Sequence, residues 1–591
     1  MEQDGCIMRK PWEFLRNLFS RRTRTTKEKE MSIVEMSTMP PVVLPKKSSK
    51  VQVLNPVQRQ HQKDALTAIR TVVYKGTGKG KVILPTGTGK TRIEAEAVCY
   101  NVKRNTKKEQ YPGVYVVLSP RILLSYQQLK DFITIISNNG IECQYKSVHS
   151  GGIDSSLYEK QLLASGIEHP EEIESTTTIS EIASWILIAR QKNMPLVLFS
   201  TYHSADRVAA AIIKAESVVE MYIYDEAQYC VSKGDFQNVP LFASKFKFFF
   251  TATEKTTDAE CGLGMNNEDK FGKVIFTEKP KTMIERGEMA SIAIHLVGTR
   301  GASEMQYNDY ESMARVVIEA FDKHREVVKS YASAPDLIGP KMVVICDSQD
   351  SLKGIMRSKA LRAYKSFHHA INLCALSSDY GIEINGKHSP RVRNKDKEYL
   401  ILTMRKWKAE DEAIVLHVDM ISEGIDVPGI TGIMPFRNLG KIKFLQNLGR
   451  GTRLVDSDRS RLYDGTITPK DWSKYVKPYC WLILPVVSST YYDMKRRYED
   501  IVKELRSEYG FSSSEMVVID NIKGISEEDA VKDMVGSKEK KFFLGKGMIS
   551  EIVHSIEDGE AMTNFIEQVF TFNVLSAEEQ VEILKRIYNG A

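Results

Sequence analysis

Apolar positions along the chain gather into two series of short runs, each run followed by a stretch with helical spacing. Between about 54 and 280 the runs are KVILP, VYVVLSP, LVLFST, MYIYDEA and FKFFFTAT. Strands buried on both faces read as continuous apolar runs, whereas strands with one wet face alternate. Such runs alternating with amphipathic segments predict a parallel sheet covered by helices on both sides. A second series follows, with MVVICDS at 342–348, AIVLHVD at 413–419, ITGIMPF at 430–436 and CWLILPVV at 480–487. The stretch between its first two members, roughly 350–410, is more polar and carries several Lys and Arg. Beyond about 490 the spacing turns helical, as in YYDMKRRYEDIVKELRSEYG, and it stays mostly so to the end. The expected organisation is a basic flexible tail at 1–50, one α/β domain at 51–285, a second at 286–490, and a helical C-terminal domain at 491–591.

Length and composition agree with several domains. A chain of 591 residues is too long for one hydrophobic core. With 42% hydrophobic and 27% charged residues it has the composition of a globular protein, not a disordered one. The net charge of +6 is a mild basic bias, compatible with a phosphate-backbone partner without specifying one. The eight cysteines contain no CxxC pair, which argues against a zinc site or disulfide framework and for a reducing, intracellular setting. No apolar run approaches the roughly 18 residues that span a bilayer, so no membrane partner is expected. Arg9, Lys10, Arg16, Arg21, Arg22 and Arg24 lack the apolar segment of a secretory signal. They read as a solvated tail, with an organelle transit peptide as the alternative.

The most informative segment is Lys81-Val82-Ile83-Leu84-Pro85-Thr86-Gly87-Thr88-Gly89-Lys90-Thr91. A strand feeds a Gly-rich loop that ends in Gly-Lys-Thr and opens a helix. Backbone N–H groups of such a loop point inward and bind phosphate oxygens, aided by the helix N-terminus. Lys90 is expected to reach the β- and γ-phosphates of ATP, and the Thr91 hydroxyl to coordinate Mg²⁺. Thr86, Gly87, Thr88 and Gly89 complete the cradle, the glycines allowing close backbone approach. Leu84 stands where the strict GxxxxGK[ST] pattern has Gly, so the motif is a relaxed version.

Such a loop needs a carboxylate for the metal and a group that activates water. Met221-Tyr222-Ile223-Tyr224-Asp225-Glu226-Ala227-Gln228 supplies both. Asp225, at the end of an apolar strand, is expected to hold Mg²⁺. Glu226 is expected to act as general base toward the hydrolytic water.

These two segments resemble motifs I and II of superfamily 2 helicases, and the remaining motifs follow in order. Arg59-Gln60-His61-Gln62 resembles the adenine-reading R-P-Y-Q element, which implies that Gln62 hydrogen-bonds the base. Ser119-Pro120-Arg121-Ile122-Leu123-Leu124 resembles motif Ia, which implies nucleic-acid contacts from Pro120 and Arg121; Ser200-Thr201-Tyr202 resembles a later strand-contact motif, with Thr201 in that role. Thr251-Ala252-Thr253 resembles motif III, so Gln228, Thr251 and Thr253 are expected to couple hydrolysis to movement. Val343-Val344-Ile345-Cys346 resembles motif IV. The run from Asp419 to Pro428 resembles motif V and implies a nucleotide contact from Asp426. Gln446-Asn447-Leu448-Gly449-Arg450-Gly451-Thr452-Arg453 resembles motif VI, which implies catalytic roles for Gln446, Arg450 and Arg453. The two arginines are expected on one face of a short helix, completing the site from the second domain. The resemblance covers about 54–490. It implies an α/β fold of two tandem RecA-like parallel-sheet domains followed by a helical C-terminal domain.

The DEAQ form of motif II, the phrase DMISEGIDVPGI and FLQNLGRGTR resemble the branch holding type I and III restriction-enzyme helicase subunits and phage branch-migration helicases. Ile284-Glu285-Arg286-Gly287-Glu288-Met289 resembles its interdomain hinge segment. The branch implies ATP and Mg²⁺ as cofactors and nucleic acid as partner, DNA before RNA, in a helicase or translocase without its own nuclease. A remodelling motor that does not unwind, and an ATP-gated sensor of duplex RNA, are the alternatives. Tyr202, Trp185, Trp407 and Trp472 read chiefly as core residues, and Arg391, Arg393, Lys395 and Lys397 as a phosphate-contact loop or a solvated insertion. Lys495, Arg496 and Arg497 beside Tyr498 could clamp nucleic acid or dock a partner.

Overall fold

The computed structural model describes residues 58–120, 122–149, 175–231, 236–258, 261–298, 309–377, 380–389, 403–404, 406–418, 429–436, 447–486 and 517–520. The tail, the 391–397 basic stretch, the motif V segment 419–428 and the Lys495–Tyr498 group lie outside these residues.

The first series of apolar runs builds a seven-stranded sheet. Its strands are β1 (Gly78–Ile83), β2 (Val114–Ser119), β3 (Gln144–Val148), β4 (Leu196–Thr201), β5 (Val219–Tyr224), β6 (Ser244–Thr251) and β7 (Lys273–Thr277). They lie in the order β3-β4-β2-β5-β6-β1-β7 and every pair is parallel. All five runs read from the sequence are strands. The two that the pattern missed, β3 and β7, are the edges of the sheet. Edge strands are half wet, so their apolar signal is weak; β7 buries none of its five residues fully.

Period-two alternation divides each central strand between two cores. On β6, Phe246, Phe248 and Phe250 face one core while Phe249 faces the other. The first core packs them against α1 (Gln60–Tyr74), α2 (Lys90–Lys107) and α3 (Ile122–Asn138), through residues such as Leu66, Ile93 and Phe132. The second packs Val116, Tyr222 and Phe249 against α4 (Ile179–Gln191) and α5 (Ala205–Lys214). With all strands parallel, the segments after β1, β2, β4, β5 and β6 emerge along one edge. Ligands bind at this carboxyl edge in open α/β sheets.

The second sheet has nine strands, in the order β12-β11-β10-β13-β9-β14-β15-β8-β16. These are β8 (Ser291–Gly298), β9 (Lys341–Ile345), β10 (Asn372–Ser377), β11 (Gly381–Ile384), β12 (Lys387–Ser389), β13 (Ala413–His417), β14 (Gly432–Pro435), β15 (Tyr479–Val486) and β16 (Val517–Asp520). The strands from β10 to β8 and β16 pair in parallel, whereas β10, β11 and β12 form an antiparallel meander at one edge. A short helix, α6 (Pro280–Glu285), precedes β8, and α7 (Tyr310–Tyr331) packs Val317 and Phe321 onto Met342, Val344, Leu416 and Trp481.

Two regions differ from the sequence reading. The polar stretch at 350–410 holds α8 (Gln349–Arg357), α9 (Lys359–Phe367) and the β10–β12 meander. Only β10 is substantially buried there, so the wet meander strands and amphipathic helices dilute the apolar pattern. Within the C-terminal region expected to be helical, β16 adds to the second sheet, pairing Val517 with Ala293 on β8. Four residues carry too little spacing to stand out from a helical context.

No helix among the described residues is long and apolar enough to cross a membrane. Tyr202 and Trp407 are buried, and Trp185 and Trp472 pack against apolar clusters.

Phe248→Ala removes a fully buried ring from the central strand β6 and is expected to cost ~3–5 kcal/mol. Urea unfolding of the full chain measures it, and a midpoint equal to wild type contradicts the packing described.

Candidate nucleotide site

The phosphate loop leaves β1 with its register still held, because the Leu84 N–H donates to the Thr251 carbonyl at 2.9 Å. Gly87 and Gly89 take left-handed φ values of +84° and +82°, which L side chains rarely adopt. Gly89 is also the N-cap of α2. The Thr88 hydroxyl donates to the Pro85 carbonyl at 2.8 Å, bracing the turn. Lys90 is buried, and its Nζ lies 3.5 Å from the Leu84 carbonyl, folded back over the loop. Thr91 follows it, half-buried, on the first turn of α2.

Three carboxyl groups converge beside this loop. Asp225 follows β5, and its N–H donates to the Leu118 carbonyl at 2.9 Å. Glu226 has φ +49° and ψ +51°, a left-handed backbone held by a side chain that does not favour it. Such strain costs about 1–3 kcal/mol and collects at functional sites. The third carboxyl, Glu94 on α2, is fully buried and was not singled out from the sequence. Burial pushes the Asp225 carboxyl up to about 7, with Glu226 adding to the rise and Lys90 opposing it. Burial also holds Glu94 well above the usual carboxylate range, and Asp225 raises it further.

A polar chain ties this acidic group to the next strand. The Gln228 amide donates to Glu226 Oε2 at 2.8 Å, and the Thr251 hydroxyl donates to Gln228 Oε1 at 2.7 Å. The Thr253 N–H donates back to that hydroxyl at 3.1 Å. Gln228, Thr251 and Thr253 are therefore one hydrogen-bonded unit with Glu226, joining the end of β5 to the end of β6.

The second domain meets the loop from the other side. A Cβ placed on Gly449 would lie 2.7 Å from the Thr86 Cβ, and one placed on Gly87 would lie 2.8 Å from Arg453 Cγ and Nε. The Gly449–Arg453 segment thus packs directly onto the phosphate loop. Arg450 is buried in a helical turn at 447–451, whereas Arg453 lies beyond the end of that turn. The two arginines do not share a helix, as the spacing had suggested. What holds the tail of the segment is Lys477, whose ammonium donates to the carbonyls of Gly451 and Arg453, the latter at 2.7 Å. Burial pushes Lys477 down to about 8. Its backbone N–H and that of Val476 donate to the buried Asp458 carboxylate at 2.8 and 2.7 Å.

Residues 55–256 match the family model described as the type III restriction enzyme, res subunit. The match takes in β1 to β6 of the first sheet but leaves the second sheet outside it. No curated protein matches the chain. Among solved structures, it is similar to the ATP-dependent type ISP restriction-modification enzyme LlaBIII bound to DNA, at 16% identity and a TM-score of 0.53. The match covers 87% of this chain but 33% of that one, so the chain spans a third of the length of that enzyme. A nuclease-deletion mutant of the type ISP enzyme LlaGI, in complex with a DNA substrate mimic, matches at 16% identity and a TM-score of 0.48, covering 78% of this chain and 30% of that one. The DEAD-box helicase Mss116, bound to ssRNA and UDP-BeF, matches at 13% identity and a TM-score of 0.44, covering 90% and 91%.

The first turn of α1 is built into the phosphate loop. His61 Nε2 donates to the Thr88 carbonyl at 2.9 Å, and the Gln62 amide donates to the same oxygen at 3.1 Å. Gln62 Oε1 accepts from the Arg59 N–H at 3.0 Å, so the amide also scaffolds the loop. The other ring nitrogen of His61, Nδ1, lies 2.7 Å from the Glu288 carboxylate. Glu288 belongs to the turn after α6, and two residues on the Ala290 N–H donates to the Thr452 carbonyl at 2.8 Å. One imidazole therefore links the loop to the turn after α6, and the chain just beyond that turn is bonded to the arginine-bearing segment.

Of the residues expected to touch nucleic acid, Pro120 and Thr201 are both buried, and the Thr201 hydroxyl is spent on Ser204 at 3.4 Å. Arg121, Asp426 and Gln446 lie outside the described residues. Magnesium fits the remainder: Mg²⁺ is held by one or two carboxylates plus substrate phosphates. Asp225 would supply the carboxylate and Thr91 a hydroxyl for such a set, with the buried Lys90 placed for the phosphates.

Two measurements follow. A double-mutant cycle of His61→Leu and Glu288→Gln by chemical denaturation is expected to give a coupling of ~0.5–3 kcal/mol; additive effects would show that the 2.7 Å contact carries no energy. The second concerns pH. With chelator present, folded Asp225 keeps its proton to about 7, whereas an unfolded aspartate releases it near ~3.9. Between those values the folded state binds more protons, so stability falls as pH rises through the window. Asp225→Asn removes this dependence. Its thermal midpoint should gain on wild type from pH ~4 to ~7 and then level off, whereas a constant gap would contradict the raised carboxyl.

Proposed function

We propose that the chain is an ATP-hydrolysing nucleic-acid motor that works on duplex or branched DNA. The observation that carries this reading is the split site. A phosphate loop and its acidic group stand on the first sheet, and the arginine-bearing segment of the second packs onto that loop.

Lys90 and the loop amides bind the phosphates of ATP, and Thr91 and Asp225 hold Mg²⁺. The metal, when bound, neutralises charge on the phosphate oxygens. Glu226 accepts a proton from the attacking water, held in place by the Gln228 amide. Arg450 and Arg453 offset the charge that spreads over the transferred phosphoryl group, a contribution of ~10³–10⁵ in rate in related NTPases. Because these arginines belong to the other domain, turnover depends on the two domains meeting. Gln228, Thr251 and Thr253 carry the state of Glu226 to the end of β6, which supports their role in coupling.

Support for DNA comes from the type ISP enzyme, which shares the fold and whose structure holds DNA. The decisive experiment is ATPase activity across single-stranded, duplex and forked DNA and the matching RNAs, with unwinding and triplex displacement measured in parallel. Stimulation by RNA alone would overturn the DNA reading, and displacement without unwinding would make it a translocase and not a helicase.

Lys90→Ala and Glu226→Gln are each expected to abolish nucleic-acid-stimulated hydrolysis, and retained turnover in either folded variant would count against the site. Arg450→Ala should keep ATP binding and lose turnover. Lost binding with turnover intact at saturating ATP contradicts its role.

A further inference from the structure

Beside the acidic group lies a side chain that the motifs do not include. Gln128 is buried on α3, and its Nε2 lies 2.8 Å from Asp225 Oδ2 and 3.4 Å from Glu94 Oε2. The amide faces both carboxyl groups with its nitrogen, donating to an oxygen of each. One NH₂ group has two hydrogens, and here each has a carboxyl to meet. The contact joins three elements, namely α2, α3 and the end of β5. Gln128 Oε1 and Glu94 Oε1 are buried with no hydrogen-bond partner among the described residues. Two such oxygens are costly in a packed interior unless the arrangement serves a purpose.

Without the amide, Asp225 and Glu94 would face one another in a buried pocket with no donor between their oxygens. With it, Oδ2 of Asp225 is occupied and its rotation is restricted, which leaves the other oxygen for a further partner. We infer that Gln128 is a positioning residue for the Asp225 carboxylate, an amide clamp braced from behind by Glu94. The inference rests on the reading of Asp225 as a ligand of Mg²⁺.

The test is binding of a fluorescent, non-hydrolysable ATP analogue to the full chain, titrated with Mg²⁺. Loss of an outer partner of a metal ligand lowers metal affinity ~10–100-fold. In Q128L the Mg²⁺ concentration for half-maximal enhancement should rise by that factor, while affinity for the analogue in chelator stays at the wild-type value. A Mg²⁺ dependence equal to wild type in folded Q128L overturns the inference. Should Q128L not fold, Q128N keeps the amide but draws it back by one methylene, and it is read the same way. E94Q keeps an oxygen facing the amide and should stay near wild type. A shift as large as that of Q128L would make the Glu94 charge the agent and overturn the clamp. D225N separates the two readings. If D225N retains full Mg²⁺ enhancement, the ligand role of Asp225 fails. If D225N loses it and Q128L does not, the inference about Gln128 alone fails.

Discussion

The site depends on a contact in which a glycine on each side leaves room for a side chain of the other, Gly87 for Arg453 and Gly449 for Thr86. Gly87 on the phosphate loop and Gly449 on the opposing segment let the two domains touch, and a Cβ on either would collide with the other side. Packed interiors do not deform continuously, so such a contact is either made or broken. That property suits a site divided between two sheets. The arginine-bearing segment reaches the loop in one arrangement, and its own shape is fixed by Lys477 and Asp458 behind it.

The first sheet supplies the other half at a cost. Three carboxyl groups share a pocket largely closed to water, and their neighbours raise the protonation range of two of them. Buried carboxyls of this kind destabilise a fold unless hydrogen bonds and cations offset them. Here the offsets are few and specific: Lys90 beside Asp225, Gln128 between Asp225 and Glu94, and Gln228 on Glu226. Each of these also aims the carboxyl that it steadies. The left-handed backbone of Glu226 adds strain at the same place. A packed sheet with aromatic rings on both faces of β6 stands behind it and absorbs that strain.

The turn after α6 is not a loose connection. His61 joins it to the Thr88 carbonyl, and Ala290 joins it to Thr452, so hydrogen bonds and the His61–Glu288 contact connect the loop, the turn after α6 and the opposing segment. Any movement of one sheet against the other would break contacts that end on the phosphate loop.

Most central strands were legible in the sequence because doubly buried strands write continuous apolar runs. The edge strands β3 and β7, the strands β11 and β12 and the short β16 were not, since half-wet or very short strands write no such pattern; β8 and β10 were also not read, although both lie inside the second sheet. The phosphate loop and the Asp225–Glu226 pair were legible because each is a contiguous segment whose backbone geometry is local. Gln128, Glu94, Lys477 and the His61–Glu288 contact were not. Gln128 and Asp225 are 97 positions apart, and nothing in a linear pattern says that an ordinary helix residue will end beside a carboxylate. Sequence alone determined the local chemistry: which loop bends, which strand ends in acid, which segment carries arginine. Which of these groups meet, and which buried neighbours hold them in place, was decided only by packing two sheets and their helices, because burial and proximity are properties of the folded chain.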